Sequence, residues 1–187
     1  MVTPGRDNLS GIVEVDETYI GGKKPGKKGR GAEGKSLVVI AVEINGSKIG
    51  RIRLRKVPDA SSKSLNNAIE ETINKGSLIQ TDGCNGYNHV NSLGYIHEIS
   101  RQDSEVGNSL LPNCHLVASL LKRWLAGTHQ GAVSHEHLEY YLDEFTFRFN
   151  RRTSTHRGKL FYRLLQNAVK IEPIPYNYIK KCKKTEG

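Results

Sequence analysis

Ser36 to Ile44 (Ser-Leu-Val-Val-Ile-Ala-Val-Glu-Ile) is an almost unbroken apolar run. Such a run is typical of a strand buried on both faces, so the chain needs a covering layer on each side of it. Asn45-Gly46 follows as a hairpin signal. Lys48 to Val57 then alternates, with Ile49, Ile52 and Leu54 set against Arg51, Arg53 and Arg55 and one irregularity at Gly50. Upstream, Ile12 to Ile20 also alternates. Its pleat puts Glu14, Asp16 and Thr18 on one face and Val13, Val15, Glu17 and Tyr19 on the other. The early part of the chain therefore predicts a three-stranded meander.

Ser61 to Lys75 reads as a helix, with Ser61 or Ser62 as cap, a stripe of Leu65, Ala68, Ile69 and Ile73, and Gly76 as stop. Leu78 to Thr81 is a short strand that delivers Asp82 to its end, and Tyr95 to Ile99 is a second extended piece. Asn113 can cap a helix reaching Ala126, with a core stripe of Leu116, Val117, Leu120, Leu121, Trp124 and Leu125. Ser134 starts a further helix, and Lys159 to Val169 forms the last. This order describes an α/β or α+β domain. Residues 1–10 read as a short leader, 11–170 as one domain and 171–187 as a basic tail.

At 187 residues the chain can bury a sizeable core. Its formal net charge of +9 suits a polyanionic partner, most often nucleic acid. The three cysteines are far apart, which indicates neither a zinc ribbon nor a disulfide framework. No apolar run approaches the roughly 18 residues of a membrane span, so no membrane partner is expected and the default expectation is cytoplasmic.

Asp16 is the unusual residue, because strands disfavour Asp. Asp82 and His115 are its candidate partners. Oxygen and nitrogen ligands converging from separate elements are what a Mg²⁺ or Mn²⁺ phosphoryl-transfer site needs, with two cations held about 3.5 to 4 Å apart. If the strands of Asp16 and Asp82 are neighbours, their carboxylates can share a metal. Taken alone, Asp82-Gly83 is also an ordinary turn. His115 and Lys122 lie seven residues apart, on one helix face and about 10 Å apart along the axis. On spacing alone they read first as a surface His and Lys, because polar pairs at such spacing are common.

Three stretches carry a resemblance. Val13 to Gly22, Thr81-Asp82-Gly83-Cys84-Asn85-Gly86-Tyr87, and Leu121 to Gly131 resemble bacterial insertion-sequence transposases of the DDE class. More narrowly they resemble the ISXO-like branch, whose third active-site residue is Glu, Asn or His, with Lys seven positions later. Tyr141 to Arg152 is similar to that branch too. The resemblance implies an α/β, ribonuclease H-like mixed sheet with flanking helices. It implies Asp16, Asp82 and His115 as the triad and metal ligands, with Lys122 trailing. It further implies DNA, as transposon ends and target, for partner, a homodimer or higher synaptic oligomer, and a bacterial, nucleoid-associated setting.

Two departures follow. The wider class has Glu where this chain has His115, and imidazole favours softer cations than carboxylate does. Asp143 and Glu144 are rival third ligands. Relatives usually carry an N-terminal zinc ribbon or helix-turn-helix reader. The short stretch before Asp16 leaves three readings open, namely a catalytic-domain fragment, a shortened reading frame or a remnant.

Two basic groups are candidates for phosphate contact. The first is the Gly/Lys-rich loop with Lys23, Lys24, Lys27, Lys28, Arg30 and Lys35. The second is Arg148, Arg151, Arg152 and Arg157, joined by Arg123 beside Lys122. Arg148 and Arg151 alternatively only cover their helix with aliphatic stems. Tyr87 either stacks on an unpaired base or lies in the core. The expected function is metal-dependent DNA cleavage and 3′-hydroxyl strand transfer. The alternatives are a ribonuclease H-like nuclease or resolvase, and an inactive DNA-binding remnant.

Overall fold

Ser36–Glu43 are buried without exception. The computed structural model, which describes residues 8–21, 34–100, 110–131, 133–173 and 175–177, puts a separate apolar layer on each side of them. Leu37, Val39 and Ala41 join one buried cluster with Leu65, Ala68 and Ile69. Val38, Ile40 and Val42 join the other with Val117, Leu121, Leu142 and Phe145. Burying one such side chain contributes about 1.5–3 kcal/mol, so this strand anchors both layers.

The strands are β1 (Ile12–Ile20), β2 (Ser36–Asn45), β3 (Lys48–Val57), β4 (Leu78–Thr81) and β5 (Ile96–Ile99). The helices are α1 (Ser62–Thr72), α2 (Pro112–Thr128), α3 (Leu138–Asn150) and α4 (Arg157–Ala168). The five strands form one sheet in the order β3-β2-β1-β4-β5. The meander β1-β2-β3 is antiparallel, whereas β1, β4 and β5 run parallel. The irregularity expected at Gly50 is a register shift between Val42 and Ile44 on the facing strand. Glu43 turns there toward Arg51, which donates to it at 2.8 Å.

α1 begins as expected, with Ser61 Oγ accepting from Ser64 N. It ends at Thr72, before Lys75. Ile73 is already extended and makes a parallel bridge with Leu9. Leu9 N donates to Thr72 O and Asn74 N donates to Leu9 O. Leu9, assigned by sequence to the leader, is thus fully buried. α3 starts at Leu138 rather than Ser134, because the Ser134 hydroxyl bonds the His137 ring instead of a first-turn N–H. α2 is rolled relative to the expected stripe. Its buried residues are Cys114, Val117, Leu121 and Leu125, and Leu116 is 50% exposed.

Candidate active site

β1 and β4 are neighbours, and their parallel register pairs Glu14 with Gln80. Two residues further on, Asp16 in the middle of β1 stands level with Asp82, the residue that follows β4. The end of a parallel strand is where acids in open α/β sheets meet ligands. Asp16 Oδ1 accepts from Glu17 N at 2.8 Å. Asp82 Oδ1 accepts from Cys84 N at 2.9 Å, so the ordinary turn left open by sequence does exist and uses one carboxylate oxygen. Gly83 makes the turn possible. Its φ is +78°, and a Cβ there would lie 2.7 Å from Ile99 Cγ2.

His115 reaches Asp16 from above the sheet, with Nε2 3.2 Å from Asp16 Oδ2. What places it is Glu14, on the same pleat face of β1. The Glu14 carboxylate is buried, and Oε2 accepts from Asn113 N and from Cys114 N, each at 3.0 Å. Oε1 accepts from the Asn113 side chain at 2.7 Å. The residue at the cap position, Leu111, supplies no side-chain bond. A strand carboxylate therefore caps α2, and its negative charge faces the positive end of the helix. Asn113, expected as the cap, instead lies inside the helix and is itself held by Glu14. This clamp sets the roll of α2, because once Asn113 and Cys114 face β1, His115 overhangs Asp16.

Among the described residues the site is short of positive charge. Burial is the main reason that the Asp16 pKa is raised, and the charges of Glu17 and Asp82 add to it, while the Glu17 N–H bond and His115 work against it. Burial, then Glu14 and Asp16, push the Cys114 thiol well up, so it stays protonated. The donor set fits hard or borderline divalent cations, with two carboxylates and one imidazole facing a region of excess negative charge. Asp16, Asp82 and His115 are neighbours rather than a preformed cluster. Among the described residues no three His, Cys, Asp or Glu side chains already converge as a metal-ion cage. Lys122 lies two turns along α2, where it lines a cavity of about 250 Å³ with Tyr19, Ile20 and Gly21 at the end of β1.

The base-stacking role for Tyr87 is corrected. Its side chain is fully buried, and its hydroxyl donates to Glu17 Oε2 at 2.7 Å. Burial and the Glu17 charge hold the phenol protonated. The ring follows a 3₁₀ turn at Asn85–Tyr87 that packs on α1, which leaves no face for a base. Tyr87→Phe removes a hydrogen bond to a carboxylate and should lower stability by about 1.5–3 kcal/mol. Urea melts that agree within 0.5 kcal/mol would refute this bond's contribution.

The rivals for the third position lie elsewhere. Glu144 is bound by Arg148, with Nε and Nη2 both 2.8 Å from Oε1. Asp143, whose pKa burial raises, faces Arg55 and Arg53 of β3. β3 is separated from β1 by β2. Arg151 lies over the Phe147 ring at 4.0 Å. Arg152 lies over Phe149 at 4.1 Å and donates to the carbonyls of Ile49 and Gly50, so it braces α3 against β3. Arg123 and Arg148 are exposed beside an α2–α3 groove. Lys23, Lys24, Lys27, Lys28 and Arg30 lie outside the described residues. Sequence reasoning placed Glu14 on the Asp16 face of the strand without a task and assigned none to Glu17. The only available signal was that β1 carries three acids within four positions.

A mixed five-stranded sheet with flanking helices, and acids in mid β1 and just past the adjacent parallel β4, defines a ribonuclease H-like domain. Residues 8–150 match the ISXO2-like transposase domain, and the chain belongs to that family. Among solved structures it is similar to a chain of the simian T-cell lymphotropic virus intasome in complex with PP2A regulatory subunit B56 gamma. The TM-score is 0.51 at 16% identity, over 90% of this chain and 58% of that one, a likeness of fold. This chain thus spans little more than half the length of that relative. No curated protein matches it.

Proposed function

We propose that this transposase domain cleaves a DNA strand at an element end and joins the freed 3′-hydroxyl to target DNA, with divalent cations as cofactors. The observation that carries the reading is Asp16, level with Asp82 and 3.2 Å from His115, in a site with unbalanced negative charge. Asp16, Asp82 and His115 would hold two cations, Mg²⁺ or Mn²⁺. When bound, these supply activation of the attacking oxygen and charge neutralisation at the leaving oxygen. Lys122 contacts a phosphate of the strand lying along α2. Glu14 keeps His115 in place. The net charge of +9 draws the polyanionic substrate in, and the synaptic form is a dimer or larger.

The test is a strand-joining assay with a labelled end fragment and a target plasmid. Covalently joined product supports the proposal. Nicks alone point to a hydrolytic nuclease or resolvase, and salt-sensitive binding without turnover points to a remnant.

His115 brings a further expectation. A neutral imidazole suits Mn²⁺ better than Mg²⁺. The Mn²⁺ rate should exceed the Mg²⁺ rate by about tenfold, the lower end of what altered ligand surroundings produce. His115→Glu should bring the two rates together. Equal rates in the unaltered protein would refute the metal preference.

A further inference from the structure

Between α2 and α3 runs a groove of about 670 Å³. Half-buried Trp124 lines its floor, backed by the buried Phe145 at 5.6 Å, while Arg152 covers the buried Phe149 ring at 4.1 Å. Arg123, Arg148 and Arg152 rim it. Arg152 is held by main-chain carbonyls. Arg148 keeps its side chain 68% exposed despite its pairing with Glu144.

We propose that this groove binds single-stranded DNA, with an unpaired base on Trp124 and phosphates at Arg123 and Arg148. The proposal rests on DNA being the substrate, and it names where the strand goes beyond the catalytic face. A duplex turns its phosphates outward and its base faces inward, so an aromatic floor offers it nothing. An unpaired strand presents both a stacking face and a charge, and this groove matches both. Its volume lies within the range of pockets that bury a small ligand.

The alternative occupant from this chain fits badly. α4 exposes Phe161, Tyr162 and Leu165, an apolar face that no other element covers among the described residues. It also carries Arg157, Lys159 and Arg163, so a second copy's α4 would bring cations to an arginine rim. A polyanion is the complementary partner. The route is short as well. Arg123 follows Lys122 directly, and Trp124 is nine residues beyond His115, about 14 Å along the helix axis. A strand leaving the Asp16–His115 face would pass Lys122 and Arg123 before it reached the floor.

Trp124 is the chain's single tryptophan, so its fluorescence reports on this groove alone. The experiment titrates the whole protein with a 12-nucleotide oligothymidine, and separately with a duplex of the same length, in chelator. Quenching by the single strand and little by the duplex is expected. Arg123→Ala and Arg148→Ala should each weaken binding severalfold. Trp124→Leu, followed by fluorescence anisotropy of labelled oligothymidine, should weaken it about 5- to 150-fold, the range for losing one stacking platform. Gly127 lines the groove, and a Cβ there meets nothing within 4 Å. Gly127→Glu therefore puts an anion in the groove without a clash and should abolish quenching even if Trp124→Leu fails to fold.

Equal quenching by duplex and single strand, or none by either, overturns the proposal. So does a Trp124 signal that changes on dilution without DNA, which would place a second copy in the groove. Asp16→Asn should quench like the unaltered protein. Quenching without cleavage in the unaltered protein would sink the catalytic reading and leave the groove standing. Cleavage without quenching would sink the groove alone.

Discussion

Asp16→Asn should lower the proposed strand cleavage and joining by about 10³-fold or more, and at neutral pH it should make the protein more stable. The loss of activity follows from removing a transition-state electrostatic group at the centre of the site. Asp82→Asn is expected to lose activity to a similar degree. Undiminished joining by either variant would refute the assignment. The gain in stability follows from the direction of the Asp16 shift. Its folded pKa lies above the ordinary Asp value of 3.8, chiefly through burial, with Glu17 and Asp82 adding to it.

The sign follows from proton counts. Well below the ordinary value of 3.8, Asp16 is protonated both folded and unfolded, and it makes no difference. As pH rises through the raised folded value, the folded protein holds more protons than the unfolded one, so stability falls with pH. Asparagine removes that loss. The melting-temperature gap between Asp16→Asn and the unaltered protein should be near zero well below the ordinary Asp value of 3.8 and widen to a plateau above the raised pKa. About 1 kcal/mol corresponds to ~2–4 °C in a domain of this size. Mn²⁺ should raise the melting temperature of the unaltered protein by ligand linkage and leave Asp16→Asn unmoved. A variant less stable than the parent at pH 7 would contradict the electrostatic account.

Glu14→Ala has the second large effect, on fold and function together. It strips the acceptor from two α2 N–H groups and from the Asn113 amide. Cys114 is fully buried, so water does not replace the bond to its N–H. Each unsatisfied group costs about 1–3 kcal/mol. A loss of ~3 kcal/mol would lower the melting temperature by ~6–12 °C. Activity should fall about 10²-fold, because a shift of about 1 Å in a site group costs that much.

A swap separates positioning from bulk stability. Glu14→Gln keeps an oxygen for the backbone donors, but its amide then meets the Asn113 amide. Adding Asn113→Asp restores a donor–acceptor pair of reversed polarity. The double variant should regain melting temperature and cleavage relative to Glu14→Gln alone. Cleavage unchanged in Glu14→Ala would show that His115 does not depend on this clamp.

The strands were largely legible because their signals are local. Unbroken burial marks Ser36–Ile44, Asn45-Gly46 marks the hairpin, and alternation marks the flanking strands. Helix boundaries were less legible. Ile73 leaves α1 because Leu9, 64 residues earlier in the sequence, offers it a bridge. Ser134 does not start α3 because a ring nitrogen competes for its hydroxyl. The roll of α2 was not legible at all. Leu116 and Trp124 are as apolar as Val117 and Leu121, so hydrophobic spacing could not choose among faces.

Read alone, the chain established a layered α/β domain, an acid in mid-strand, a second at a strand end and a His seven positions before a Lys. These depend on residue type and short-range period. Tertiary contact decided that β4 lies beside β1, which sets Asp82 level with Asp16. It also decided that Glu14 grips α2 from below, and that Tyr87 turns inward to Glu17. Each is a hydrogen bond or a strand pairing between residues about 65 to 100 positions apart. No local pattern encodes such contacts, and they form only when two elements already packed on a common core offer matching donors and acceptors.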